Sequence, residues 1–560
     1  MTTMENVALL YQKYCKESFD KHGVLKTWEP VVPGDFNFAY DCVDYIAGVE
    51  PDRRAMVWTS DRGEERTYTF ADMRDYSNRT ANLFLKNGIK KGDKVLVILK
   101  RHYQFWYTIL ALHKIGAVII PATHLLTEKD VQYRVEMADV SAVVCTADGD
   151  VSHAVDAACA RFDRPIQKYL ARGTAPRQGW VDFDAGLEDC APTLARIPIR
   201  SDDPCIIFFT SGTTGYPKMV EHTHCYPIGH IITARHWHNV VPDGLHLTVA
   251  DTGWGKALWG KLYGQWLCGA GIFVYDFDRF HPSDLLEKIQ QYRITTFCAP
   301  PTIYRFFIKE GMGGYDLSSL QWATTAGEAL NPEVYNRFLE YTGLPLMEAF
   351  GQTETTVLLV NLVGSRCKPG SMGKSSPLFD VRLLSEDGTP TPMGEVGEVV
   401  VKASGPQVGL FTGYLKNPEL TQKAWHDGYY HTGDTAWQDE DGYFWYVGRT
   451  DDVIKASGYR IGPFEIESVL MEHPAVMECA VTGAPDPVRG TVVKATVVLT
   501  RGYAASDALV KELQDYVKRQ TAPYKYPRIV EFIDELPKTI SGKIRRVEIK
   551  EKDLASTKGD

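Results

Sequence analysis

Short apolar runs alternate with amphipathic segments through the first 450 residues. "KVLVILK" (94–100) predicts a buried strand, and "HYQFWYTILALHKIG" predicts a following helix ended by Gly116. "AVIIPA", "SAVVCTA" and "PCIIFFT" predict further strands, and "GAGIFV", with G-x-G but no third glycine, reads as another. Strands alternating with helices point to parallel sheets joined by crossover helices. The rhythm changes in "FDVRLLSEDGTPTPMGEVGEVVVKA". There β-rich runs are parted by Asp-Gly and Met-Gly turns, which suits a small β subdomain. "GRTDDVIKASGYRIGPFEIESVL" is a polar, turn-rich bridge. Beyond it lie two strands around a loop ("AVMECAVTGAPDPVRGTVVKATVVLT"), a helix ("SDALVKELQDYVKRQ") and a strand ("RIVEFIDEL"). Leu509, Leu513, Tyr516 and Val517 share one face of that helix. The expected fold is α/β. A large N-terminal domain (1–450) has several subdomains, parallel sheets and a small β subdomain. A small α+β lid (451–560) follows.

Composition narrows the class. A chain of 560 residues is too long for one ordinary domain, and 44% hydrophobic with 24% charged residues is ordinary for globular protein. The 11 cysteines are scattered, with no C-x-x-C and no cysteine–histidine cluster expected. This argues against a disulfide scaffold or structural zinc and for a reducing compartment. The N-terminal stretch lacks a basic region before an apolar core, so the expected location is the cytoplasm. The longest apolar stretch is broken by His113 and Lys114, and no membrane span is expected. A net charge of −10 disfavours nucleic acid as a partner. The charge is uneven: residues 451–560 carry as many basic as acidic side chains, so the deficit lies in the first 450. A relatively basic lid suits anionic ligands.

The richest stretch is "TSGTTGYPK", Thr210 to Lys218, at the end of a predicted strand. Its glycines let backbone N–H groups approach an anion, its hydroxyls add donors, and Lys218 adds a charge. The spacing is not that of the phosphate loop G-x-x-x-x-G-K-[ST], and no helix is expected directly after it. "HTHCYPIGH" contains metal-ligand residue types, but its spacing fits no zinc site, and it reads as a loop-to-helix passage. Ser211 has no histidine and acid assigned to it, so a hydrolase triad is not supported.

The nine-residue string resembles the signature loop of the adenylate-forming superfamily, which includes acyl-CoA synthetases, peptide-synthetase adenylation domains and beetle luciferases. Four more motifs follow in that family's order: "FGQTET", "HTGD", "GRTDDVIKASGYRIGPFEIE" and "LPKTISGKIRR". The wording of the C-terminal third, with "DTGW" earlier, is most similar to medium-chain acyl-CoA synthetases. The resemblance implies ATP-dependent activation of a short-to-medium-chain acid, branched acids included, as an acyl-adenylate. Transfer to coenzyme A follows. Mg²⁺ accompanies ATP, and a homo-oligomer is left open. An amino-acid or aryl-acid adenylating enzyme, or a non-catalytic nucleotide-binding relative, is the alternative.

The implied nucleotide site takes Thr210, Ser211, Gly212, Thr213, Thr214, Gly215 and Lys218 from the loop. Gly327, Glu328, Glu348, Ala349, Phe350, Gly351 and Gln352 line the base pocket and its rim. Thr353 touches the α-phosphate, Glu354 the metal, and Asp434 with Arg449 the ribose; a carboxylate can accept two hydroxyls. Lys543, with Thr353, Lys218 and Arg460, is assigned to catalysis. Asp451 is the hinge. Ser457, Gly458 and Tyr459 line a pantetheine tunnel, and Arg489, Lys518 and Arg528 are cations for coenzyme A. The acyl pocket is assigned to Trp237, Trp254, Lys256, Trp259, Cys298 and Gly351. The tryptophans serve equally as plain core, and Lys256 either snorkels to solvent or enters the pocket. Gly351 stands where acetyl-CoA synthetases carry tryptophan, so open space is expected there.

Overall fold

A computed structural model describes residues 7–210, 217–456, 459–486, 490–538 and 544–557. Ser211, Gly212, Thr213, Thr214, Gly215, Ser457, Gly458, Arg489 and Lys543 lie outside them, and Tyr459 and Arg460 are described as backbone alone.

Two large sheets form the N-terminal body. The first has eight strands, with Lys94–Ile98 parallel to both Val118–Pro121 and Val140–Thr146 and a hairpin, Pro204–Thr210 with Lys218–Thr223, toward one edge. The second has nine. Its parallel centre includes Leu245–Thr248, Gly271–Asp276, Thr296–Ala299, Trp322–Thr325 and Leu346–Gly351. A five-stranded antiparallel sheet contains Val381–Leu384, Val396–Lys402, Tyr429–Gln438 and Phe444–Arg449. This is the predicted α/β class with its β subdomain.

The helix expected after the first strand spans Gln104–Ile115 and is capped by Gly116 at φ 69°. A left-handed residue there closes the last turn without the strain of a Cβ. Every residue of the helix is buried. Lys114 survives inside because its Nζ donates to Asp44 Oδ1 (2.7 Å), Ser77 Oγ (2.9 Å) and Asn78 Oδ1 (2.7 Å). A buried ammonium needs such partners to stay charged. Among the described residues no helix is long and apolar enough to cross a membrane.

Residues beyond 450 build a core of their own, with Ile454, Ile461, Ile466, Leu470, Val481, Val493, Leu513 and Val517 buried together. Val476–Asp486 and Gly490–Leu499 are antiparallel, and Ile529–Phe532 runs parallel to the second. The helix Asp507–Gln520 is capped by Ser506, whose side chain accepts from the Leu509 amide, and it buries Leu509, Leu513 and Val517. This unit touches the body where Asn331 Nδ2 donates to the Ser468 carbonyl (3.0 Å) and Lys455 pairs with Glu386 (3.1 Å).

Candidate active site

Thr210 and Lys218 face each other across the hairpin, so the signature loop joins two antiparallel strands and leads into a strand, not a helix. The Lys218 ammonium lies 5.2 Å from the Tyr414 ring centre. Burial pulls its pKa down, and the Glu354 carboxylate offsets part of that. The Tyr414 hydroxyl donates to Glu354 Oε1 (2.8 Å). No hydrogen bond reaches the second Glu354 oxygen among the described residues, and a hard oxygen left in this way fits a magnesium ion carried in on phosphates.

Two residues earlier, Gln352 Nε2 donates to Asp434 Oδ2 (2.5 Å) and to the Thr432 carbonyl (2.8 Å), and its Oε1 accepts from Tyr430 (2.7 Å). Asp434 is 5% exposed and stands opposite Arg449 in the strand pair. Arg449 Nη1 and the Tyr446 hydroxyl reach its two oxygens, each at 3.2 Å. Arg449 Nε also lies 3.7 Å from Asp451, whose backbone carbonyl accepts from Lys550 (3.1 Å). Lys218, Tyr414 and Glu354 thus form one polar group and Gln352, Asp434, Arg449 and Asp451 a second, and the "FGQTET" segment carries a member of each.

Sequence reasoning missed the residues that hold these groups together. Tyr414, Tyr430 and Tyr446 sit in no motif. His222, set aside with "HTHCYPIGH", donates from Nε2 to the Thr353 carbonyl (2.7 Å), tying the "FGQTET" segment to the hairpin. Burial lowers its pKa to about 4, so it is the neutral donor form.

Phe350 packs toward Tyr446 (6.3 Å between centroids), which in turn meets Phe464 (5.9 Å). Gly327 has φ +104°, and nothing lies within 4 Å of the Cβ position, so a flat ligand has room against its backbone. Glu328 is turned to Thr302 Oγ1 (2.8 Å) and Arg305 (3.6 Å). Ala349 is buried in the strand between Glu348 and Phe350. Glu348 is 3% exposed; one oxygen accepts from the Leu330 amide (3.2 Å) and the other has no partner among the described residues. Burial raises its carboxyl well above the usual range, so the fold favours the protonated form. That contribution is fully present below the ordinary glutamate pKa of about 4.3 and is lost as pH rises through the folded value. Glu348→Gln keeps the acceptor and removes the ionisable group. Its melting temperature is expected to gain on the native protein as pH rises above the ordinary glutamate value; a pH-independent difference in thermal unfolding contradicts this.

In the acyl region, Trp237 is fully buried and donates from Nε1 to the Met347 carbonyl (3.0 Å). Its ring meets Trp259 (5.9 Å, 44°). Lys256 does not snorkel outward: its Nζ donates to the Ala326 carbonyl (2.9 Å) and lies 5.6 Å from the Trp259 ring centre. Burial lowers its pKa, with the Cys298 thiol among the groups that oppose this. Cys298 is buried in its strand, and Trp254 caps the helix Gly255–Gly260. The structure thus joins Trp237, Trp259, Lys256 and Cys298.

Two expectations fail. Gly351 is exposed, yet it has no room for a side chain: a Cβ there would lie 2.6 Å from the Thr356 carbonyl oxygen, at the point where the strand pair bulges between Phe350 and Gly351. The chain also does contain a cysteine–histidine cluster. His113, Cys205 and His224 are far apart in sequence, yet folding brings their donor atoms within 4.8 Å of one another. On the lid, Lys518 and Arg528 both lie against Tyr526, at 4.0 and 5.0 Å from its ring centre.

Comparison with known proteins agrees with this geometry. A family model described as AMP-binding enzyme matches residues 43–415, and one described as AMP-binding enzyme C-terminal domain matches 465–543. The chain is 40% identical to the acyl-coenzyme A synthetase ACSM3, mitochondrial, of Homo sapiens, covering 93% of this chain and 90% of that one. It is 41% identical to the human acyl-coenzyme A synthetase ACSM5, mitochondrial, covering 94% and 93%. Both names place those relatives in mitochondria, which runs against the cytoplasmic expectation. Among solved structures, the anthranilate CoA ligase AuaEII superposes with TM-score 0.86 at 26% identity, covering 94% of this chain and 99% of that one. A Brucella canis acyl-CoA synthetase gives 0.71 at 31% identity, covering 93% and 95%. The signature loop on its hairpin, the ordered motifs and these matches place the chain in the AMP-binding enzyme family.

Proposed function

We propose that the chain is an AMP-forming acyl-CoA synthetase, an acid–thiol ligase acting on short-to-medium-chain acids, branched ones included. The observation that carries this reading is the pair of polar groups that the "FGQTET" segment brings together, Lys218 with Tyr414 and Glu354, and Gln352 with Asp434 and Arg449. It offers a cation for phosphate, a carboxylate for a metal and a buried carboxylate for two hydroxyls. The relatives named as acyl-coenzyme A synthetases and CoA ligases support it.

In the first step a substrate carboxylate oxygen attacks the α-phosphorus of ATP, and pyrophosphate leaves. Both reactants are anions, so positioning and positive charge supply most of the rate. Magnesium, when bound at Glu354, neutralises phosphate charge. Lys218 and Lys543 add cations. Gln352 holds Asp434 in place for the ribose. In the second step the coenzyme A thiol attacks the acyl carbonyl and AMP leaves. Gly458 is assigned to passage of its pantetheine arm, and Lys518 and Arg528 present cations near Tyr526. Lys543 and Gly458 serve different steps, so the lid swings about Asp451 between them; a few residues suffice for such a hinge.

Gly458→Leu is expected to block thioester formation while leaving the acid-dependent pyrophosphate burst without coenzyme A intact. Disappearance of that burst contradicts the tunnel assignment. The substrate class is tested by kcat/KM over a panel from acetate to octanoate, with branched acids, benzoate and amino acids included. The optimum is expected beyond acetate among aliphatic acids. An optimum at acetate, benzoate or an amino acid overturns the class.

A further inference from the structure

The three buried donors noted above meet at the foot of the loop-bearing hairpin, the end opposite the loop itself. Cys205 is the second residue of the strand Pro204–Thr210, and His224 follows the strand Lys218–Thr223. His113 comes from the last turn of the helix Gln104–Ile115. His113 and Cys205 are 0% exposed and His224 is 1%. None belongs to the two polar groups of the nucleotide site.

The cluster holds two of the buried ring nitrogens that have no hydrogen-bond partner among the described residues, His113 Nδ1 and His224 Nε2. Leaving a buried polar atom unpaired is unfavourable, and both histidines lie in one cluster with a free cysteine. The rest of each residue is held. His113 Nε2 bonds the Tyr263 hydroxyl (2.8 Å), Asn37 Nδ2 donates to the His113 carbonyl (2.7 Å), and the His224 amide donates to the Asp203 carbonyl (3.2 Å). If His113 Nε2–H donates to Tyr263, Nδ1 keeps its lone pair toward the cluster. An outer hydrogen bond of this kind commonly fixes the tautomer of a metal-binding histidine.

We propose that His113 Nδ1, His224 Nε2 and Cys205 Sγ bind one copper(I) ion. Thiolate and imidazole donors suit a soft cation. Charge selects the monovalent one. Two neutral imidazoles, a thiolate and Cu⁺ sum to zero, whereas a divalent ion leaves a net positive charge in the core at several kcal/mol. The three donor atoms lie within 4.8 Å of one another, close enough for one ion to reach all three. As the Cu–S bond forms, the Cys205 S–H bond breaks and its proton passes to solvent. Before loading, burial keeps the thiol protonated and both imidazoles neutral. The bound ion would tie the helix end to both strands of the hairpin.

The full-length protein is loaded anaerobically with Cu(I) or with Zn²⁺, and weakly held metal is removed with a competing chelator. One copper per chain is expected to remain, with a copper-edge absorption spectrum showing one sulfur and two nitrogen neighbours. The melting temperature should rise by several degrees. Cys205→Ala and His224→Phe should each lose the copper, while Cys190→Ala keeps it. Should either variant fail to fold, the spectrum of the native protein decides. Two or more sulfur neighbours, or retention unchanged by Cys205→Ala, overturn the site. So does no retention at all, the result expected if the thiol merely hydrogen-bonds an imidazole. Retention of zinc in place of copper overturns the choice of ion.

Discussion

Lys543→Ala is expected to slow acyl-adenylate formation by about 10²–10³-fold and to leave thioester formation from supplied acyl-adenylate within a few-fold of the native rate. The first step brings a carboxylate to a polyphosphate. Lys218 alone is a weak answer, because its ammonium already lies in the field of Glu354. Arg449, the other cation of the body, is held by Asp434 and Asp451, so a further cation for the phosphates has to come from the lid. The segments flanking the lysine motif are well anchored for this. Lys538 and Ile544 form an antiparallel bridge, the Arg545 amide donates to the Pro537 carbonyl (2.8 Å), and Arg546 pairs with Glu467 (2.7 Å). The second step needs no such cation, since a thiol meets a neutral carbonyl. Pyrophosphate release without coenzyme A, set beside turnover of synthetic acyl-adenylate with it, measures the two steps separately. Equal loss in both contradicts the assignment.

The second large effect concerns Gly351. From sequence, Gly351→Trp would refill an open pocket and shift preference toward acetate. The strand geometry reverses this expectation. A Cβ at this position meets the Thr356 carbonyl at 2.6 Å and the Val357 Cα at 3.4 Å, both backbone atoms that cannot swing aside. The strand pair must separate, and overpacking of this kind costs about 1–3 kcal/mol. The same segment carries Gln352 and Glu354, so a shift propagates to Asp434 and Tyr414. Gly351→Trp is therefore expected to lower kcat/KM for every acid alike and to lower the melting temperature. Gly351→Ala, with one added carbon, should already show part of the loss. A chain-length series on both variants checks this; native stability with a selective gain for acetate would restore the open-pocket reading.

These two residues also mark where the sequence was legible. Strands and helices with strong periodicity, such as Lys94–Ile98 and Gln104–Ile115 with its Gly116 cap, were readable because burial and capping leave a local pattern. Lys218, Glu354 and Asp434 stand out in the sequence because each sits in a local motif; their roles are proposals. Contacts between motifs were not. The Gly351 clash depends on a bulge that no spacing announces. Tyr430 and Tyr446 on the five-stranded sheet, and Tyr414 on the edge of the eight-stranded one, become positioning residues only when both sheets close on the "FGQTET" segment. The His113–Cys205–His224 trio spans a helix, a strand and a turn separated by about ninety residues or more in part, beyond any ligand-spacing rule. Lys256 was ambiguous because a lysine between tryptophans can turn either way, and only the Ala326 carbonyl decides it.

The central claim is that this site joins a carboxylate to the α-phosphate of ATP before coenzyme A takes part. It is tested most directly by exchange of labelled pyrophosphate into ATP in the absence of coenzyme A. The account predicts exchange that depends on an aliphatic acid and is lost in Asp434→Ala, with AMP released once coenzyme A is added. Formation of ADP, with no acid-dependent exchange, would contradict it.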